Sequence, residues 1–192
     1  DLVTGVQTCA LPILFDRHSN AGLVGNVQRL AGSLKYDHMG VVFGPRGNPN
    51  HFGQGFLFHP FSSQPRKWSA VTAACALVRR ELFLQNGGFD ENYLNGCEDI
   101  DLCLRLSRLG YCHFVAHKSV IEHVKGASEG RKRHNSRNAE LLQRRWSDSI
   151  CKEESLRDRG LYALTHLHRF LLSPHKANFN QLIDVVKIVS GD

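Results

Sequence analysis

The sequence predicts an α/β domain that ends in a helical tail, and three observations carry the prediction. Gly22–Gln28 and Trp68–Val78 are short apolar runs rich in small residues, the pattern of buried strands. Leu102, Leu106 and Leu109 recur at i, i+4 and i+7 until Gly110, the pattern of a helix with one apolar face. From Asn135 onward the remaining periodic stretches are all helical. At 192 residues, with 42% hydrophobic and 22% charged residues, the chain can bury one real core.

Taken in order, Val3–Ile13 matches, codon by codon, a translated short-read sequencing adapter. Residues 1–13 are therefore expected to be an adapter artefact that carries no information about the fold. They have neither the basic start nor the continuous apolar core of a signal peptide, and the natural chain is expected to begin upstream of Leu14. Leu14 to Asn20 reads as a helix end, and Gly22–Gln28 as a strand. Leu34 to Phe43 carries Asp37-His38-Met39-Gly40 between two extended segments. Gly44–Asn50 is loop by composition, and His51 to Pro65 is expected to be an irregular, mobile excursion.

Trp68–Val78 reads as one unbroken strand. Arg79 to Gln85 is a short helix stopped by Asn86-Gly87-Gly88, a left-handed cap. Tyr111–Ala116 and Ser119–His123 read as two short strands. Asn135 to Trp146 is an amphipathic helix with Leu141, Leu142 and Trp146 inward. Leu161–Leu172 and Asn180–Val189 are two more helices, separated by Ser173-Pro174. The expected division is 14–147 for the domain and 148–192 for a helical tail.

The net charge of +6 is spread along the chain, densest at Arg131-Lys132-Arg133-His134. It suits an anionic ligand such as a nucleotide diphosphate, or a solvated loop; no nucleic-acid partner is expected. Cys97, Cys103 and Cys112 lack metal-type pairing, so free thiols in a reducing compartment are the default. No apolar run approaches the ~18 residues of a spanning helix.

The chemistry concentrates in Gly87-Gly88-Phe89-Asp90-Glu91 and Asn95-Gly96-Cys97-Glu98-Asp99-Ile100-Asp101-Leu102-Cys103-Leu104-Arg105. Glu98, Asp99 and Asp101 fall in the first helical turn, where free N–H groups and the helix dipole favour negative charge. Helix-start acids are common in purely structural settings, and Asp101–Arg105 has the spacing of an i,i+4 pair worth a few tenths of a kcal/mol.

These motifs, together with Val71–Arg80, Glu122-His123, Asp37–Gly40 and Arg137–Trp146, resemble in order the C-terminal half of family 2 glycosyltransferases, over roughly Leu14 to Trp146. The resemblance implies part of a GT-A, Rossmann-like fold, a nucleotide-sugar donor, a divalent metal (manganese or magnesium) and inversion at the anomeric carbon. By the same resemblance Asp99 is the catalytic base, and Glu98 orients the acceptor or supports Asp99. Asn95 and Gly96 contact the acceptor, Trp68 and His38 line the sugar pocket, and Thr72 is a substrate-binding residue. Arg131 and Lys132 neutralise the leaving diphosphate, and His123 completes the metal's coordination. Implied partners are the nucleotide-sugar and a saccharide or lipid-linked saccharide acceptor, in the cytoplasm and peripherally at the inner membrane face. The family's N-terminal half, with its metal-binding Asp-x-Asp, has no counterpart before Glu98, so this chain by itself is expected to lack turnover. Two other readings stay open: a metal-dependent hydrolase built on Glu98, Asp99, Asp101 and His123, and a non-catalytic module whose tail helices dock on a partner or membrane.

Overall fold

The computed structural model describes residues 5–61, 65–124, 133–153, 156–176 and 178–190. Its centre is the strand pair β1 (Ala21–Leu30) and β7 (Cys112–His123), which run parallel. Around them β2 (Tyr36–His38) and β6 (Ala76–Val78) pair antiparallel with β1, and β5 (Arg66–Trp68) pairs antiparallel with β7. β3 (Val41–Phe43) and β4 (Pro49–His51) form a separate two-stranded hairpin. Helices α1 (Gly5–Arg17), α2 (Arg80–Gln85), α3 (Glu98–Arg108), α4 (Asn135–Glu153), α5 (Leu156–Leu172) and α6 (Phe179–Ser190) complete an α/β architecture that matches part of a Rossmann-like fold. Among the described residues no helix is long and apolar enough to cross a membrane.

β1 is buried from Ala21 through Gln28 because both faces of the sheet are covered. On one face, Leu11 and Leu14 of α1 pack with Val24, Phe114 and Ala116. On the other, Leu23, Val27 and Val115 join Leu102 and Leu106 of α3. α3 buries the predicted stripe except Leu109, which ends the helix 60% exposed. The two strands expected over residues 111–123 are one. A register shift between Asn26 and Val27, opposite Ala116 and Val120, absorbs the break in pattern as a bulge.

Two expectations are corrected. Trp68–Val78 is not one strand: Thr72 opens a 3₁₀ turn at Ala73–Cys75, accepting a hydrogen bond from Ala74 N–H at 3.4 Å, and strand resumes only at Ala76. The Ala73 N–H goes to Asp99, so two donors leave the ladder. Nor is His51–Pro65 a peripheral excursion. Phe52 and Phe56 are fully buried and pack edge-on, 5.6 Å apart, with Phe52 also against Trp68.

α4 runs unbroken past residue 147, burying Asn138, Leu142, Trp146 and Ile150 at four-residue spacing. Tyr162 of α5 lies against Gly44, where an added Cβ would meet its ring at 2.6 Å, and donates to Asp184 of α6 at 3.1 Å. Asp184 also pairs with Arg46 at 2.8 Å, and Gln143 of α4 donates to Asn48 at 3.0 Å. The 44–50 loop is thereby anchored to the C-terminal helices, and it fixes where β4 presents His51.

His113 bridges β1 and α3 from inside. Its Nδ1 accepts from Leu23 N–H at 3.0 Å, so its Nε2 carries the proton and donates to the Cys103 carbonyl at 2.8 Å. Gly22 leaves room, since a Cβ there would meet the ring at 2.8 Å. Burial holds the imidazole down to about 4 from the ordinary 6.5. The unfolded chain therefore takes up a proton near pH 6.5 that the folded chain refuses until about pH 4. This stability is complete above 6.5 and is lost as pH falls through that window, about 3 kcal/mol from His113 alone. His59 and His166 are depressed in the same direction by burial. Urea unfolding between pH 7 and 4 is expected to show stability falling with acid, and His113→Gln is expected to flatten that slope.

Candidate active site

The start of α3 is built on a turn in an unusual conformation. Asn95, Gly96 and Cys97 all have positive φ, at 57°, 151° and 72°. For Asn95 and Cys97 this is a costly backbone, of a kind that concentrates at functional sites. The fully buried Asn138 holds it: Nδ2 donates to the carbonyls of Leu94 at 2.9 Å and Gly96 at 2.8 Å, while Oδ1 accepts from Leu94 N–H at 3.2 Å.

The turn opens into a cleft of about 300 Å³. Thr72, Asn95, Gly96, Glu98 and Asp99 all line it, as expected from sequence, and His51 and Asn135 join them from β4 and α4. Asp99 is held by two donors: Oδ2 accepts from Ala73 N–H at 2.9 Å and Oδ1 from Ile100 N–H at 2.8 Å. A carboxylate has about four acceptor sites, so the side chain is fixed in place with acceptor capacity remaining. Glu98 lines the cleft, and its Oε2, shielded from solvent, has no hydrogen-bond partner among the described residues. Cys97 lines the same cleft, but burial, then Asp99 and Glu98, push its thiol up to about 12, so no thiolate competes as a nucleophile.

Asp101 turns the other way. It is 1% exposed and accepts from Arg105 Nε at 2.8 Å, Trp146 Nε1 at 2.8 Å and Tyr93 Oη at 3.2 Å. Arg105 in turn donates to the carbonyls of Asn86 and Gly88, tying down the glycine turn. The Asp101–Arg105 pair is therefore the centre of a buried network, not the marginal surface pair that spacing suggested.

Other expected residues lie elsewhere. Trp68 is 2% exposed and sits under Gly40, where a Cβ would fall 2.1 Å from the indole; it fills the core and does not line the cleft. His38 is wholly buried, and its Nδ1 is hydrogen-bonded to His51 Nδ1 at 2.8 Å, so it backs a cleft residue without lining the cleft itself. His123 Nδ1 hydrogen-bonds Asp37 at 3.1 Å and is not part of the cleft wall. Among the described residues no group of three or more His, Cys, Asp and Glu is placed to hold a metal ion. Arg131 and Lys132 lie outside the described residues.

Sequence reading missed His51, Asn135 and the positioning role of Asn138. His51 follows loop text without a period. An asparagine in the first turn of α4 reads as a helix-start residue, and its contact with a turn more than 40 residues earlier has no local signal.

No family model matches the chain. Individual relatives do. Over 99 residues, 52% of this chain, it is 40% identical to the N-acetylglucosaminyl-diphospho-decaprenol L-rhamnosyltransferase of Mycobacterium tuberculosis, of which the match covers 32%. Over 97 residues, 47% of this chain, it is 35% identical to the O-antigen biosynthesis protein RfbC of Myxococcus xanthus, covering 8% of that protein. A stretch of 40 residues, 20% of this chain, is 55% identical to the rhamnosyltransferase WbbL of Escherichia coli, covering 15% of it. The chain spans less than a third of the length of these relatives. It is similar to parts of proteins named for rhamnosyl transfer and O-antigen biosynthesis.

Proposed function

We propose that this chain forms the acceptor-facing part of an inverting glycosyltransferase that moves a sugar from a nucleotide-sugar donor to a hydroxyl of a saccharide or lipid-linked saccharide. The observation that carries the reading is the cleft, in which a fixed Asp99 and an unpartnered Glu98 oxygen stand beside the open Asn95-Gly96 backbone. The similarity to rhamnosyltransferases points the same way.

In this mechanism the acceptor hydroxyl donates its hydrogen bond to Asp99. Its oxygen attacks the anomeric carbon as the bond to the nucleoside diphosphate breaks on the opposite face, and the proton ends on Asp99. Glu98 accepts from a neighbouring acceptor hydroxyl and orients it. Gly96, with no side chain, lets the sugar approach the backbone. The divalent metal that the sequence resemblance implies finds no cage among the described residues, and no step here is routed through it. The hydrolase reading loses its basis, because Asp101 points into the core and His123 is bound to Asp37, so the four residues do not converge.

The test is product formation from nucleoside-diphosphate rhamnose and a lipid-diphosphate N-acetylglucosamine acceptor, with added manganese or magnesium. It is run on this chain alone and on a chimera placing it after the N-terminal half of the mycobacterial relative. Disaccharide of inverted configuration is expected from the chimera. Sugar release without acceptor would sink the reading, as would absence of both product and any acceptor-induced shift of the Gly96 amide resonance.

A further inference from the structure

Away from the cleft, a cavity of about 480 Å³ opens between the end of β1, the turn at Gln54–Leu57 and the last turn of α5. That is the size range of small-molecule sites, roughly 300–1,000 Å³. Its walls are mainly apolar, with Leu30, Leu57 and Leu172 lining it, and Lys35 and Arg169 stand at it as cations. Its acid is already engaged: Asp37 accepts from Gln54 Nε2 at 3.0 Å and from His123 at 3.1 Å. Arg169 donates to the same Gln54 through its Oε1. Burial lowers the Arg169 pKa, yet a guanidinium remains charged at any working pH. Burial, then Lys35, hold His168 below the ordinary histidine range, so it adds no charge at neutral pH. The cavity thus offers apolar walls and two cations to whatever enters. Exposed apolar side chains adjoin it: Leu57, itself in the lining, is 58% exposed, and Phe58, whose ring centroid lies 6.4 Å from that of His168, is 53% exposed.

Apolar walls that carry two cations suit an amphiphile with an apolar chain and an anionic head, such as a long-chain lipid bearing a phosphate. A flat bilayer would meet the exposed rim and leave the cavity unfilled. We propose that this cavity binds a phosphorylated lipid, its phosphate on Lys35 and Arg169 and its chain running past Leu30, Leu57 and Leu172 on to Phe58. The assignment rests on the glycosyltransferase reading only for its purpose, which is to tether the acceptor that the cleft glycosylates. Its binding chemistry stands apart.

The experiment measures co-sedimentation of the purified chain with three vesicle types: phosphatidylcholine alone, phosphatidylcholine with a prenyl phosphate, and phosphatidylcholine with phosphatidylglycerol at matched charge. Binding to the prenyl phosphate vesicles is expected to be about tenfold tighter than to either other kind. Lys35→Gln and Leu57→Asn, both at exposed positions, are each expected to remove most of that preference while leaving the thermal midpoint unchanged. Asp99→Asn is expected to keep lipid binding, which separates this site from failure of the cleft chemistry. Equal binding to phosphatidylglycerol would overturn the proposal in favour of general attraction to anionic surfaces. It would equally fall to absent binding, to variants that bind as wild type, or to a concentration-dependent dimer broken by Leu57→Asn, which would make a second copy the occupant.

Discussion

Replacing Asp101 with alanine is expected to destabilise the protein by about 3–5 kcal/mol, the cost of removing one partner from a buried ion pair. Removing the carboxylate strips the acceptor from Trp146 Nε1 and Tyr93 Oη and leaves the Arg105 guanidinium without its counter-ion. Each of the buried donors then carries a desolvation penalty of its own, about 1–3 kcal/mol. The damage also spreads along the chain, because Arg105 holds the Asn86 and Gly88 carbonyls and Trp146 anchors α4. Asp101→Asn keeps the shape and one acceptor oxygen, so a smaller loss is expected from it. Urea unfolding monitored by tryptophan fluorescence reads both. A change below about 1 kcal/mol in the alanine variant would place Asp101 at the level of an ordinary surface pair, in contradiction to its burial.

The split between Asp101 and its neighbours also shows what the sequence could convey. The helix α3 was legible because its stripe, its first-turn acids and Gly110 are all local signals. So were β1 and the stop after α2, where Gly87 and Gly88 take φ of 76° and 62°. The convergence of Thr72, Asn95, Gly96, Glu98 and Asp99 was also legible, since most of these lie within five residues of one another. What could not be read depends on partners far away in the chain. Nothing local shows that Phe52 and Phe56 are core, that His38 of β2 meets His51 of β4, or that Asn138 locks a turn near Leu94. The run at Trp68–Val78 failed for a different reason. A stretch of small apolar residues has no period to separate strand from turn, and Thr72 with Asp99 decided it through side-chain hydrogen bonds.

The same hydrogen bonds set the terms for the catalytic test. Asp99→Asn is expected to lower kcat about 10²–10⁴-fold in the form of the protein that turns over, the usual worth of a positioned general base. The substitution is not silent in structure, because Asp99 accepts from two backbone donors and an amide brings only one oxygen. Its NH₂ must face Ala73 N–H or Ile100 N–H, at a cost of about 1–3 kcal/mol in stability. A drop in thermal midpoint is therefore expected as well, and kinetics must be read well below it. The discriminating feature is the split between constants. If Asp99 takes the proton, kcat falls and the acceptor KM changes little. Glu98→Gln, which keeps an acceptor oxygen but loses the charge at the unpartnered Oε2, is expected mainly to raise the acceptor KM. The pH dependence adds a second reading: a base-limited kcat falls in acid in the wild type, and that limb disappears in Asp99→Asn while it persists in Glu98→Gln. Should the two variants exchange behaviour, Glu98 is the base and Asp99 the scaffold that joins the 3₁₀ turn to α3. The geometry favours the first assignment, because a base must be fixed relative to its substrate and Asp99 is the acid held by two backbone donors.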